Sequence, residues 1–151
     1  MPDFDGSDKV GHLPAAILLA AGAVQLAYQS SPPGGAGHAR VLLGMGPAYV
    51  LIKKGEHGSM LFSRDRVVLM PAFPLAAVQD PTGAGDMFAG GLMGSLAAEG
   101  RVTLSALRRA MICGSIVASF GVEAFSLDRL ARLTDRQFTA RLERFRSMLG
   151  D

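Results

Sequence analysis

Asp80-Pro81-Thr82-Gly83-Ala84-Gly85-Asp86-Met87-Phe88-Ala89-Gly90-Gly91 is the stretch whose reading decides the fold. It follows a short apolar run, Leu75-Ala76-Ala77-Val78, and opens a helix-like run down to Ala98. Glycines on either side of Ala84 let the backbone turn tightly and aim successive N–H groups at one spot. A helix beginning there adds unpaired amides and the positive end of its dipole, so the turn is a ready anion site. Asp86 falls in the first helical turn, beside that anion. A carboxylate there can take a proton from a hydroxyl attacking phosphorus. A plainer reading stands next to this one. An Asp in a first helical turn is favourable by itself, and Gly-rich turns before helices are common. Other phosphate patterns are absent: there is no Gly-x-x-x-x-Gly-Lys-Ser/Thr, and Phe88 stands where a dinucleotide fingerprint needs its third glycine.

The stretch resembles the C-terminal signature of the PfkB carbohydrate kinases, the ribokinase-like family, which reads Asp-Thr/Pro-Thr-Gly-Ala-Gly-Asp followed by a Phe-Ala-Gly-Gly helix. Upstream, Val50-Leu51-Ile52-Lys53-Lys54-Gly55-Glu56-His57-Gly58-Ser59-Met60-Leu61-Phe62 is similar to that family's strand, Gly-x-x-Gly turn and strand. The resemblance runs from about Val41 to the helices near Leu130 and covers only the family's C-terminal half. It implies an α/β fold, a partial ribokinase-like (Rossmann-like) sandwich, preceded by a poorly structured tail. The implied activity is phosphotransfer from ATP to a hydroxyl of a sugar or related alcohol, with a nucleoside as the alternative acceptor. Asp86 is then the general base, and the amides of Gly83, Ala84 and Gly85 hold the charge on the transferring group. On the nucleotide side the resemblance implies Lys54, Gly55, Gly58, Thr82, Gly83 and Gly85, with Gly114, Ser115 and Ala118 packing a helix against adenine. Asp80 and Thr82 match positions where some members bind a monovalent cation, K+; a backbone cap explains Asp80 equally well, as helix packing explains Gly114, Ser115 and Ala118.

Two departures qualify that picture. The family's Asn-x-x-Glu motif, which helps organise Mg2+ and phosphate, cannot be present, because the sequence contains no asparagine. The family's N-terminal half, which supplies most of the acceptor pocket, is not recognisable either. The expectation is therefore a nucleotide-and-base half with impaired turnover. Its rivals are a non-catalytic nucleotide-binding remnant and an interaction module. The partner of such a half is a second copy, as a homodimer, or a separate N-terminal half.

Composition sets the outer bounds. At 151 residues there is room for one domain with a real core. Hydrophobic residues at 49% and charged residues at 19% argue against wholesale disorder. The pI is 9.0, but the net charge is only +2, and most arginines lie after position 100, spread along helix faces beside Glu123, Asp128, Asp135 and Glu143. That pattern reads as a solvated helix surface, not a nucleic-acid patch. The single cysteine, Cys113, sits in an apolar helical run and permits no internal disulfide, which suits a reducing, cytoplasmic setting. His12, His38 and His57 are scattered and show no zinc spacing.

Along the chain, residues 1–40 are the odd part and read as an unrelated tail and linker, with residues 41–151 as the kinase-like region. The apolar run Leu13 to Tyr28 falls short of the roughly 18 residues wanted for a membrane span. It also lacks the basic flank of a signal peptide, since Asp3, Asp5 and Asp8 outweigh Lys9. A loosely packed helix or a tail is expected there, and Ser30 to Gly37 reads as a Pro/Gly linker. Arg40 to Gly44 ends a helix. Ala48 to Ile52 is a fully apolar run suited to a buried strand, and Ser59–Phe62 with Val67–Met70 reads as a hairpin turning at Arg64-Asp65. Pro71 and Pro74 keep the chain extended up to the central stretch. After it, the small residues Ala89, Gly90, Gly91, Gly94 and Ser95 let a helix over Met87 to Ala98 lie close to its neighbour. Thr103 caps the next helix, Ser126 a short turn, and Thr134-Asp135-Arg136-Gln137 matches a capping box ahead of the apolar stripe Phe138, Leu142, Phe145 and Leu149. No internal repeat is visible.

Overall fold

A computed structural model of the protein describes residues 17–20, 35–125 and 127–150. Four strands form one sheet in the order β1 (Ile17–Ala20), β2 (Tyr49–Lys53), β3 (Ser59–Phe62) and β4 (Val67–Met70). β1 runs parallel to β2, with Ile17 opposite Tyr49 and Ala20 opposite Ile52, and the connection between them carries helix α1 (Gly35–Gly44). A parallel pair needs such a crossover, and Val50 and Leu51 are fully buried as parallel strands require. The described residues divide into two compact units: those up to Lys53 together with Met60–Leu69, and Lys54–Ser59 together with Met70 onward. In the first, Ala39 of α1 packs with Val50, Ile52 and Phe62, backed by Leu42, Leu43 and Met60.

Two expectations change here. Ile17–Ala20 is a strand, where the sequence suggests a loose helix or tail; the rest of the Leu13–Tyr28 run lies outside the described residues. Pairing in register with β2 from Ile17 to Ala20 outweighs the helical leaning of an Ala-rich context. The linker expected up to Gly37 is also shorter, because α1 already begins at Gly35. The burial of Ala39 against β2 and β3 is a tertiary gain that propensity does not register. The cap expected of Ser126 lies outside the described residues.

The second unit is helical: α2 (Ala84–Glu99), α3 (Leu104–Gly121), the single turn α4 (Asp128–Ala131) and α5 (Asp135–Leu149). Thr103 caps α3 through Ala106 N–H at 3.2 Å, and Thr134 and Gln137 close a full capping box on α5. The α5 stripe is core packing as its spacing indicates: Phe145 is buried and its ring meets Phe73 edge-on, centroids 5.6 Å apart. Arg141 departs from the solvated-face reading. Its guanidinium lies 3.5 Å from the Phe120 ring centroid and donates to Ser119 Oγ at 3.0 Å and Glu123 Oε1 at 2.7 Å. Where α2 ends, Glu99 takes a two-bond fork from Arg109 of α3, at 2.6 and 2.8 Å.

α2 and α3 approach at backbone distance, as the small residues of α2 foretell. A Cβ on Gly91 would stand 2.8 Å from Val117 Cγ2 and 3.1 Å from Cys113 O, and one on Gly114 would stand 2.8 Å from the carbonyl oxygen of Phe88. Neither backbone can give way cheaply. Gly114→Ala is therefore expected to destabilise the protein by about 1–3 kcal/mol through overpacking. Gly94→Ala, on the same pair of helices but with nothing within 4 Å of its added Cβ, should instead stabilise by up to about 1 kcal/mol. Urea unfolding of the two variants checks the sign of each.

Candidate functional site

The central turn is held from both ends. On its N-terminal side, the amides of Gln79 and Asp80 both donate to Val122 O at the end of α3, at 2.8 and 3.3 Å. Asp80 Oδ1 then accepts Thr82 N–H at 2.9 Å, closing an Asx turn. Gly83 takes the left-handed conformation at φ 77°, which costs a residue with a Cβ roughly 1–2 kcal/mol. It caps α2, and its carbonyl accepts Asp86 and Met87 N–H, both at 2.9 Å. On the C-terminal side, Phe88 is locked against Gly114. The turn thus owes its shape to groups within it and to α3.

Asp86 is the third residue of α2 and is exposed. It stands at a hollow of about 560 Å³ whose floor is apolar: Met87, Val117, Leu127 and Leu130, with Gly83, Gly90 and Gly91 between. That size lies within the usual range for small-molecule sites, roughly 300–1,000 Å³. Gly83 and Asp86 are brought to this hollow together. Ala84 N–H donates to Pro81 O at 3.2 Å, the longest of the local bonds within the turn and so the easiest to exchange for an anion. Sequence reasoning missed the apolar floor. Val117 carries the signal, because it is the residue whose side chain meets the Cβ-less face of Gly91, yet its helical spacing marks it only as core.

The residues expected to touch adenine do not line this hollow. Gly114 is spent on its contact with Phe88, Ser115 is 6% exposed, and Ala118 is half-buried with its carbonyl accepting Val122 N–H. Lys54 and Gly58 frame a 3₁₀ turn, Gly55–His57, in which Lys54 N–H donates to Gly58 O at 2.8 Å. A Cβ on Gly58 would run into Met70 O, so close packing demands this glycine whether or not a nucleotide does. Of the two roles expected of Asp80, the cap is present, since its Oδ1 accepts Thr82 N–H. Among the described residues no three of His, Cys, Asp and Glu group closely enough to hold a metal ion.

An α/β chain with a glycine turn at a helix start and a carboxylate in the first turn has the elements of an anion site. The model of the pfkB family carbohydrate kinases matches residues 30–126, and the chain belongs to that family. The match takes in α1, opening earlier than the resemblance legible from Val41. Among curated proteins it is similar to a nucleoside kinase of Methanocaldococcus jannaschii, 32% identical over 75 residues, and to an inositol 3-kinase of Arabidopsis thaliana, 38% identical over 87. These alignments cover 50% and 57% of this chain but only 23% and 24% of the relatives. In three dimensions it resembles aminoimidazole riboside kinase from Salmonella enterica, solved with aminoimidazole riboside and an ATP analog. The TM-score is 0.71 at 25% identity, covering 84% of this chain and 42% of that one. The fold is the ribokinase-like one, and the chain spans about two fifths of that kinase. No helix among the described residues is long and apolar enough to cross a membrane.

Protonation of the turn is open to test. The Thr82 hydroxyl and then the Thr82 amide hold the Asp80 carboxyl below the usual carboxylate range. A carboxyl lowered in the folded state stabilises it fully above the unfolded value, about 3.9, and this is lost as pH falls through the lower folded value. Asp80→Ala should therefore lower Tm at pH 7, and the gap between variant and wild type should narrow below about pH 4. A gap that does not change between pH 7 and pH 3 would remove the charge from the turn's stability.

Proposed function

We propose that this chain carries the nucleotide-and-base half of an ATP-dependent kinase that phosphorylates a hydroxyl of a sugar or nucleoside. The observation that supports it most is the placement of Asp86 one helical turn from the left-handed Gly83, at the lip of a hollow lined by both. In this reading the γ-phosphate lies against the start of α2, where the dipole and the amides of Gly83, Ala84 and Gly85 offset the charge gathering on the transferring group. Preorganised donors of this kind contribute about 10²–10³ in rate. Asp86 accepts the proton of the attacking hydroxyl, which leaves that oxygen free to bond phosphorus as the bond to ADP breaks. The ligands named for the relatives, a nucleoside and an inositol, favour a polyhydroxylated acceptor without choosing between them. Mg2+ accompanies the ATP phosphates in this reading.

Base and acceptor pocket are separable parts. Holding the hydroxyl in line is itself worth as much as ~7–11 kcal/mol, and the chain spans 42% of its structural relative. Turnover of ribose, inositol or inosine by this chain alone is expected near background. ADP should nevertheless bind and shift the amides of Gly83 to Asp86 and of Gly55 to Gly58. Adding the N-terminal half of a related kinase should raise turnover, and Asp86→Asn, which keeps the shape and removes the base, should abolish that gain while leaving the ADP shifts in place. Amides unmoved by saturating ADP would sink the nucleotide assignment; a gain indifferent to Asp86→Asn would sink the base.

A further inference from the structure

A second hollow, of about 520 Å³, lies wholly within the sheet-bearing unit, between the C-terminal part of α1 and the turn joining β3 to β4. Arg40 reaches it from α1, and Arg64 and Arg66 from the turn, while Leu43, Phe62 and Val67 supply apolar lining. None of these residues belongs to the phosphate turn or to the hollow beside Asp86. The turn itself is firmly built: Ser63 N–H donates to Arg66 O at 2.8 Å, and Arg66 N–H donates to Ser63 Oγ at 3.1 Å. The same hydroxyl donates to Asp65 Oδ1 at 3.2 Å, which occupies part of the hollow's one carboxylate.

The charges lining this hollow are unbalanced, with three arginines against the one carboxylate of Asp65. Among the described residues no ion pair holds Arg40, Arg64 or Arg66, although Asp65 is their neighbour in the same hollow. Three arginines lining one hollow leave a net positive charge there, which salt screens only beyond about 8–10 Å. A multivalent anion offsets that charge, and planar guanidinium forks match phosphate oxygens two at a time. The apolar side of the hollow calls for more than a bare ion. Val67 is 55% exposed there, an apolar surface that the body of a ligand would cover. The volume, again within the usual range for small-molecule sites, exceeds what one phosphate fills.

We propose that this hollow binds a phosphorylated small molecule, its phosphate held by Arg40, Arg64 and Arg66 and its body resting on Leu43 and Val67. Such a site would make the protein responsive to a phosphate ester at a place other than the Asp86 turn.

The test is a titration of the whole chain followed by amide and arginine Nε–Hε resonances, with ribose 5-phosphate as the probe. Ribose and sodium sulfate at matched ionic strength serve as comparators. Ribose 5-phosphate should give saturable shifts at Ser63 to Arg66 and at the three arginine side chains, with a Kd at least tenfold below that of sulfate. Ribose should give none. Arg64→Gln and Arg66→Gln should each raise the Kd about tenfold, the usual scale for one charge-assisted contact, whereas Asp86→Asn should leave it unchanged. These arginines are exposed, and the unaltered resonances of α2 and α3 report whether each variant keeps its fold. Sulfate binding as tightly as the ester would mean an adventitious anion only and overturn the proposal. So would shifts that rise linearly without saturating, or a Kd indifferent to the Arg64→Gln, Arg66→Gln double variant.

Discussion

Two helices can meet at backbone distance only where a side chain is missing, and the contact between α2 and α3 is of this kind. Gly91 receives Val117 and the Cys113 carbonyl, and Gly114 receives the Phe88 carbonyl and ring. Phe88 sits two residues after Asp86, so the contact that locks α2 onto α3 also fixes where its first turn points. The other end of α3 completes the clamp, because Val122 O takes the amides of Gln79 and Asp80. The phosphate turn is therefore suspended between two parts of a single helix. Glycines in α2 cost helix propensity, roughly 1 kcal/mol each, and the close approach they permit offsets that cost by packing and by rigidity at the turn.

The charged groups of the helical unit follow the same economy of elements. Glu99 and Glu123 each gather two arginines, one pair closing the hairpin of α2 and α3, the other tying α5 and the short α4 to the end of α3. Arg141 is the densest of these contacts. Its side chain is 16% exposed and is enclosed by Phe120, Phe73, Ser119 and Glu123. With a hydroxyl and a carboxylate accepting from it and an aromatic face beneath it, its charge is compensated, and burial of the cation is tolerable. The end of α3 that it braces is also the end that carries Val122, so α5 supports the phosphate turn at one remove.

Local chemistry made much of this legible beforehand. The hairpin Ser59–Phe62 and Val67–Met70, the caps at Thr103 and Thr134 and the position of Asp86 in a first helical turn all depend on residues close by in the chain. The misses share a cause of the opposite kind. Ile17–Ala20 is a strand because β2 lies beside it, and α1 reaches back to Gly35 in a helix whose Ala39 is buried on the sheet. Arg141 looked solvated because helix periodicity cannot see Phe120 and Glu123, which come from another element. The hollow beside Asp86 escaped for that reason too. Its floor combines α2, α3 and the residues around α4, and no spacing within one stretch announces that Leu127 and Leu130 will face Met87.

That contrast bears on what a partial kinase fold can retain. The phosphate turn is specified by an Asx turn, one left-handed glycine, a helix start and two carbonyl acceptors, all within the helical unit. Nothing in that specification refers to an acceptor sugar or nucleoside. An anion site of this kind holds its shape through bonds it makes whether or not the rest of a catalytic cleft is present, because its amides are ordered by α3 and not by a ligand. The proposed catalysis is different in kind. It would depend on a second molecule being held within hydrogen-bond reach of Asp86, about 2.6–3.2 Å, and such positioning is a long-range property. Under the proposed function, phosphate recognition and phosphate transfer are thus separable: the first would rest on one turn and the helix behind it, and the second on surfaces that this turn does not organise.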